Sequence, residues 1–260
     1  MSGQALLELK GVFKRFGAVT ALSGVDFHVS PGEVMALVGD NGAGKSTMIK
    51  AIAGIHPIDE GQILWEGKPV QINGPKDSAR LGIEVVYQDL ALCDNLDVVA
   101  NLFLGRERLL VAEEPMESEA RRVLARIGLE RVDLRSAVGT LSGGQRQAVA
   151  LARAAIGTAR LVVLDEPTAA LGVGGTRRVL DLVRRLRDDG RGVILTSHSL
   201  PDVFAVSDRI AVLRLGRNAA TFRTADVTPD EVVGAITGWR DDVHSGGHPR
   251  TPGPDPERVL

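Results

Sequence analysis

Glu33-Val34-Met35-Ala36-Leu37-Val38-Gly39-Asp40-Asn41-Gly42-Ala43-Gly44-Lys45-Ser46-Thr47 decides the fold. Glu33 to Val38 is a short apolar run that reads as a buried strand. It leads directly into Gly39 to Thr47, which fits the spacing G-x-x-x-x-G-K-[ST] of a phosphate-binding loop. Thr47 to Ala53 then reads as a helix, with Gly54 as its stop. Glycines let backbone N–H groups turn toward a phosphate with no β-carbon in the way. The helix behind the loop aims its positive N-terminus at the same charge. A glycine-rich turn without a ligand is the plain alternative, and the strand before it and helix after it argue against that. Lys45 is placed to reach the β- and γ-phosphates of a nucleotide, and the Ser46 hydroxyl to ligate Mg²⁺.

Working outward, short apolar runs alternate with helical stretches, the pattern of an α/β fold. Leu6–Phe13, Val25–Val29 and Ile63–Trp65 read as strands of a more antiparallel, half-exposed region. Glu84–Tyr87, Leu161–Leu164, Val193–Thr196 and Ile210–Leu213 read as further buried strands. From Asp89 to Leu141 the character turns helical. Asp97 can cap a helix over Val98–Leu104. Ala120, Val123, Leu124 and Ile127 form one apolar helical stripe, with Gly128 just after it. After Gly238 the composition shifts, and Ser245–Pro256 is rich in glycine and proline without apolar residues, so 239–260 is expected to be a disordered tail. The chain has no internal repeat, hence one set of motifs.

A net charge of −2 over 260 residues supplies no broad basic face, which argues against a nucleic-acid binder. The pairs Arg177-Arg178 and Arg184-Arg185 read as solvated helix faces. Cys93 is the only cysteine, so no internal disulfide can form. Met1 to Lys10 lacks the basic-then-apolar pattern of a signal peptide. No apolar run approaches the ~18–20 residues of a membrane helix. Action at a membrane would therefore need another chain to span it.

Leu161 to Glu166 is an apolar strand ending in two acids. Burial explains Leu-Val-Val-Leu but not Asp165-Glu166 at the carboxyl end, where ligands of open α/β sheets sit. Taken alone, the alternative of a strand entering a polar turn is equally good. Leu141-Ser142-Gly143-Gly144-Gln145 lies about a hundred residues beyond the phosphate loop. Ser142 and the two glycines stand where a helix begins, and Ala148, Ala152, Ala155 and Ile156 continue it. A helix start with small residues is a second anion site.

With these motifs the chain resembles the ATP-binding-cassette (ABC) ATPases over roughly residues 5 to 238, where the pentapeptide is the family signature. The resemblance implies an α/β P-loop NTPase core, a RecA-like mixed sheet with helices. It also implies an antiparallel β subdomain and a helical signature subdomain inserted at about 89–145. It implies that Asp165 orients Mg²⁺, that Glu166 polarises the attacking water as general base, and that Leu141, Ser142, Gly143, Gly144 and Gln145 contact ATP held by a second copy. Gln88 matches the glutamine loop, which senses Mg²⁺, water and the transporter partner. His198 matches the switch histidine on the γ-phosphate, and Phe16 the aromatic stacked on adenine. Each has a bland alternative: a capped surface histidine, a core phenylalanine. Gly172 departs from the family, which usually places there an aspartate that couples the two sites. Its loss removes no phosphate, metal or water ligand, so hydrolysis is expected to survive.

Gly82 to Leu92 and Asn101-Leu102-Phe103-Leu104-Gly105-Arg106 look like the ATP-binding subunits of bacterial monosaccharide importers, and the Ala-Leu-Gly variation and single-cassette length look most similar to fructose import proteins. The expectation is a homodimer that uses ATP and Mg²⁺ at the cytoplasmic face of the bacterial inner membrane. It would be peripheral, bound to a sugar permease and served by a periplasmic or extracellular sugar-binding protein, with no nucleic acid. The alternatives are a soluble ABC ATPase with a non-transport target, and a nucleotide-binding regulatory subunit. The second would be expected to lack Glu166 or His198.

Overall fold

The computed structural model describes residues 4–104, 113–126, 129, 132–156, 159–169 and 171–239. Four strands come first or soon after: β1 (Leu7–Phe16), β2 (Val19–Val29), β3 (Val34–Val38) and, beyond helix α1 (Lys45–Ile52), β4 (Glu60–Trp65). There follow β5 (Lys68–Val70), α2 (Pro75–Arg80), β6 (Ile83–Val86), α3 (Val98–Phe103), α4 (Glu113–Arg126) and α5 (Gly143–Ala155). The chain continues through β7 (Leu161–Asp165), α6 (Val173–Asp188), β8 (Gly192–Thr196), α7 (Leu200–Val206), β9 (Arg209–Arg214), β10 (Arg217–Arg223) and α8 (Pro229–Thr237).

The strands form two sheets. A six-stranded sheet runs β10-β9-β3-β8-β7-β6, and an antiparallel sheet runs β2-β1-β4-β5. In the large sheet β9, β3, β8, β7 and β6 pair parallel, and β10 adds an antiparallel edge. Side chains alternate across the central strands, as the two-residue period requires. Met35, Leu37, Leu161, Val163 and Ile194 pack with Met48, Ile49 and Ile52 of α1 and with Leu7, Leu9, Val25 and Val29 of the antiparallel sheet. Val34, Val162, Leu164, Val193 and Leu195 face the opposite layer, where α3, α4, α5 and α6 lie. Ala36, Val38, Ile210 and Val212 take Val203 of α7 and Val232 of α8.

All the expected strands and helices are present within a few residues. Asp97 caps α3 by accepting from the Ala100 N–H at 2.7 Å. Gly54 stops α1 at φ 77°, and a β-carbon there would lie 2.4 Å from the Gly74 carbonyl oxygen. Ala120, Val123 and Leu124 are buried on α4. Ile127, Gly128, Gly105, Arg106 and residues 240–260 lie outside the described residues. The helix α5 runs through residue 145 and packs on α3 and α4 as well as on β6 and α6. Five elements have no counterpart in the sequence reading: β5, β10, α2, α7 and α8. At the start of α2, Asp77 accepts the N–H groups of Asn73 and Gly74 at 3.1 Å and so closes the first turn of that helix. Among the described residues no helix is long and apolar enough to cross a membrane.

Leu37, fully buried in β3, stands two residues before the phosphate loop. Leu37→Ala is expected to cost about 2–5 kcal/mol, the range for a core leucine whose cavity does not collapse. Urea unfolding would show it as a lower midpoint at unchanged slope.

Candidate functional site

The C-terminal ends of β3, β8, β7 and β6 lie side by side on one edge of the large sheet, because these strands are neighbours and parallel. The phosphate loop leaves β3 at Gly39. A β-carbon on Gly39 would lie 2.2 Å from the Leu213 carbonyl oxygen, and one on Gly44 2.8 Å from that of Ala21. Both positions have positive φ, so glycine alone fits them. The hairpin between β9 and β10 braces the loop, with the Gly216 N–H donating to the Ala43 carbonyl at 3.0 Å. Gly44 precedes α1 with no side-chain cap, which leaves the first N–H groups of the helix facing the loop.

Lys45 is buried, and its Nζ donates to the carbonyls of Gly39 at 2.7 Å and Asp40 at 3.1 Å. Burial holds its pKa below the usual lysine value, against the opposing pull of Glu166, Asp40 and Asp165. Asp40, Asn41, Gly42 and Ser46 are exposed, Thr47 is half-buried and Ala43 buried.

Asp165 ends β7, opposite Thr196 of β8. The Thr196 hydroxyl donates to Asp165 Oδ1 at 2.7 Å and accepts the Glu166 N–H at 2.9 Å. It thereby holds Glu166 at φ 51°, a left-handed conformation that costs a non-glycine residue energy. Burial raises the Asp165 pKa, with the Thr196 hydrogen bond and Lys45 pulling it down and Glu166 pushing it up. His198, half exposed just beyond β8, lies with Nε2 2.7 Å from Glu166 Oε1. Gln88 is exposed two residues past β6. Its neighbour Tyr87 has a raised pKa, from burial and then from the charges of Asp165, Asp89 and Glu84.

Ser142 is the N-cap of α5 and forms a capping box: its Oγ accepts the Gln145 N–H at 3.3 Å, and Gln145 Oε1 accepts the Ser142 N–H at 2.9 Å. Leu141 and Gln145 are half-buried, and Ser142, Gly143 and Gly144 exposed. These bonds close within the first turn of α5, and among the described residues no hydrogen bond joins 141–145 to the phosphate loop. Phe16, at the end of β1, is 43% exposed and meets the His56 ring edge-on at 5.1 Å. Gly172 caps α6 with open space where a β-carbon would sit.

The sequence profile described as ABC transporter matches residues 22–169. The chain belongs to the ABC transporter family. This cassette is 46% identical to the fructose import ATP-binding protein FrcA of Rhizobium meliloti, over 93% of the chain and 97% of that protein. It is 44% identical to the xylose/arabinose import ATP-binding protein XylG of Sulfolobus acidocaldarius, over 90% of the chain and 94% of the other. Among solved structures, a dimeric post-hydrolysis state of the ATP-binding cassette MJ0796 bound to ADP and Pi is similar, with a TM-score of 0.75 and 26% identity. That match covers 84% of this chain and 98% of the other.

The fold thus brings the phosphate loop, Asp165, Glu166 and His198 of the cassette into one region and leaves the signature with its own turn. Thr196 escaped the sequence reading, since a threonine in Val193–Thr196 looks like any β-branched strand residue. The pairing register was the missing signal. Gln147, whose side-chain amide donates to the Pro167 carbonyl, was also missed. For Mg²⁺, no cluster of three or more His, Cys, Asp or Glu able to hold a metal occurs among the described residues. One carboxylate and one exposed hydroxyl, Asp165 and Ser46, suit a hard cation that keeps its waters and shares phosphate oxygens.

Thr196→Val keeps the shape of the side chain and removes both hydrogen bonds. It is expected to lower kcat by about 10²-fold, the scale of a slightly misplaced catalytic group, with a much smaller change in KM for ATP. Asp165→Asn should abolish hydrolysis and stabilise the nucleotide-free cassette. A carboxylate with raised folded pKa binds protons more readily when folded, so its charge weighs on stability above that pKa and less as pH falls. Calorimetry should show a higher melting temperature at pH 7, with the gap to wild type narrowing toward acid pH.

Proposed function

We propose that this cassette is the ATP-hydrolysing subunit of a bacterial sugar importer, driving uptake of a monosaccharide, fructose or a related sugar, through a separate membrane permease. The observation that carries the reading is the meeting of Lys45, Asp165, Glu166 and His198 at one sheet edge. The exposed start of α5 remains free for a second copy. Likeness to FrcA and XylG over nearly the whole chain supports a sugar as cargo, and the likeness to FrcA supports fructose.

In this reading residues 5–238 form one ATPase domain, with the helices of about 89–145 as its movable part and 239–260 as a tail. Two copies face head to tail, so that Leu141–Gln145 of one closes over ATP held by Gly39–Thr47 of the other. Phe16 stacks on adenine. Lys45 exchanges its carbonyl partners for β- and γ-phosphate oxygens, whose charge offsets the desolvation of its ammonium. Glu166 accepts the proton of the attacking water as that oxygen bonds to the γ-phosphorus and the bond to ADP breaks. His198 orients the Glu166 carboxylate and contacts the γ-phosphate. Ser46, Asp165 and Gln88 would hold Mg²⁺, which neutralises charge on the phosphates. The subunit works at the cytoplasmic face of the membrane as a peripheral protein, with a periplasmic or extracellular binding protein delivering the sugar.

Glu166→Gln is expected to bind Mg-ATP, stop hydrolysing it, and elute as a dimer with ATP and a monomer without. A variant that stays monomeric at saturating Mg-ATP sinks the closed-dimer mechanism. The cargo is tested by labelled fructose uptake into vesicles that carry the cassette with its permease. Uptake should need intact Glu166 and should be competed by related monosaccharides.

A further inference from the structure

We infer that Arg146 and Arg153 are positioning residues that tie residues 91–94 to the signature helix, so that the segment beside Gln88 and the signature move together. The inference rests on the proposed closure over ATP and adds to it a route between two parts of the cassette.

Arg146 and Arg153 stand two turns apart on α5 and therefore on one face of it. Arg146 Nη2 meets Asp94 Oδ1 at 2.9 Å, and Arg153 Nη1 donates to the Ala91 carbonyl at 3.0 Å. One helix face thus grips both ends of a four-residue segment. The grip starts one residue after Gln145, so it shares the first turn of the signature helix.

The segment itself is held as a unit. Asn101 is fully buried on α3, and its side-chain amide bonds Cys93 and the residues that follow it up to Asp97. Asn101 Oδ1 accepts the Cys93 N–H at 2.8 Å, and the two hydrogens of Nδ2 are shared among the carbonyls of Cys93, Leu96 and Asp97 at 3.0, 3.2 and 3.0 Å. On its other side the Asp94 carbonyl accepts the Gly139 N–H and the Leu96 carbonyl that of Val138, both at 2.9 Å. Gly139 sits so close that a β-carbon would lie 3.1 Å from the Asp94 carbonyl oxygen. A segment bonded on both flanks transmits displacement and does not absorb it.

The weak point is upstream. Leu90 and Ala91 have φ of 59° and 44°, a strained conformation for residues with side chains. Strained residues of this kind persist where the surroundings hold them, and here the Arg153 bond to Ala91 is such a restraint. Motion of α5 would therefore be felt first at Leu90-Ala91, two residues after Gln88. Coupling of two sites is reciprocal, so a ligand that shifts 88–92 must also bias the signature.

Cys93, the only cysteine, reports on the segment without engineering. In the full-length Glu166→Gln chain, Mg-ATP is expected to slow thiol labelling of Cys93 by about tenfold, a usual size for coupling between sites. Adding Arg146→Gln should leave an ATP-dependent dimer whose labelling responds less than about threefold. Arg146→Gln together with Arg153→Gln should abolish the response. The Arg146–Asp94 pair is exposed, so Arg146→Gln folds even where the double variant does not. The exchanged pair Asp94→Arg with Arg146→Asp should restore the response, which a merely stabilising role would not predict. An Arg146→Gln dimer that keeps the full response overturns the coupling and leaves the closed-dimer reading standing. Failure of the Glu166→Gln parent to dimerise overturns both.

Discussion

Parallel pairing of β3, β8 and β7 is the constraint on which the site depends. Parallel strands end on the same edge, and their register is fixed by burial on both faces. Leu37 lies opposite Thr196, and Thr196 opposite Asp165. A slip of one residue would move the Thr196 hydroxyl to the other face and free both Asp165 and the Glu166 turn. The catalytic arrangement is therefore written in the packing of the Val, Leu and Ile side chains of the same strands.

The same packing creates the electrostatic state of the site. Lys45 is taken out of water and loses affinity for its proton, while Asp165 is taken out of water and gains it. Each also lies in the field of the other, which partly offsets both penalties. Such a site is least comfortable with its own charges and most receptive to a polyanion that arrives with its own counter-cation. The helix start behind the loop and the loop's own N–H groups act in the same direction.

Much of this was legible in the amino-acid sequence, for identifiable reasons. The strand–loop–helix unit around Lys45 combines a burial pattern, a glycine pattern and a helix start, three signals that agree. The cap at Asp97 and the helix start at Ser142 were readable because both are signalled by local chemistry. Thr196 was not, since its role arises only when β7 and β8 are aligned. The strand β10 is an exposed edge whose residues Arg217–Arg223 show little apolar alternation. The bonds from Arg146 and Arg153 link α5 to a loop more than fifty residues earlier, and no window of sequence contains both. Local rules foresee elements and caps, and long-range register supplies the polar contacts between them.

The brace behind the phosphate loop has a consequence for how the protein is made. The central strand β3 pairs on one side with β8 and on the other with β9, and Gly39 and Ala43 touch the chain at Leu213 and Gly216. Synthesis runs from the N-terminus at about 5–20 residues per second, so β3 leaves the ribosome long before either neighbour exists. For that interval its apolar edges have no partner and the nucleotide loop has no wall. Nascent chains shorter than the β9–β10 hairpin can therefore hold neither the sheet nor ATP in the native manner, and the last third of the polypeptide acts as the clasp of a site encoded in the first.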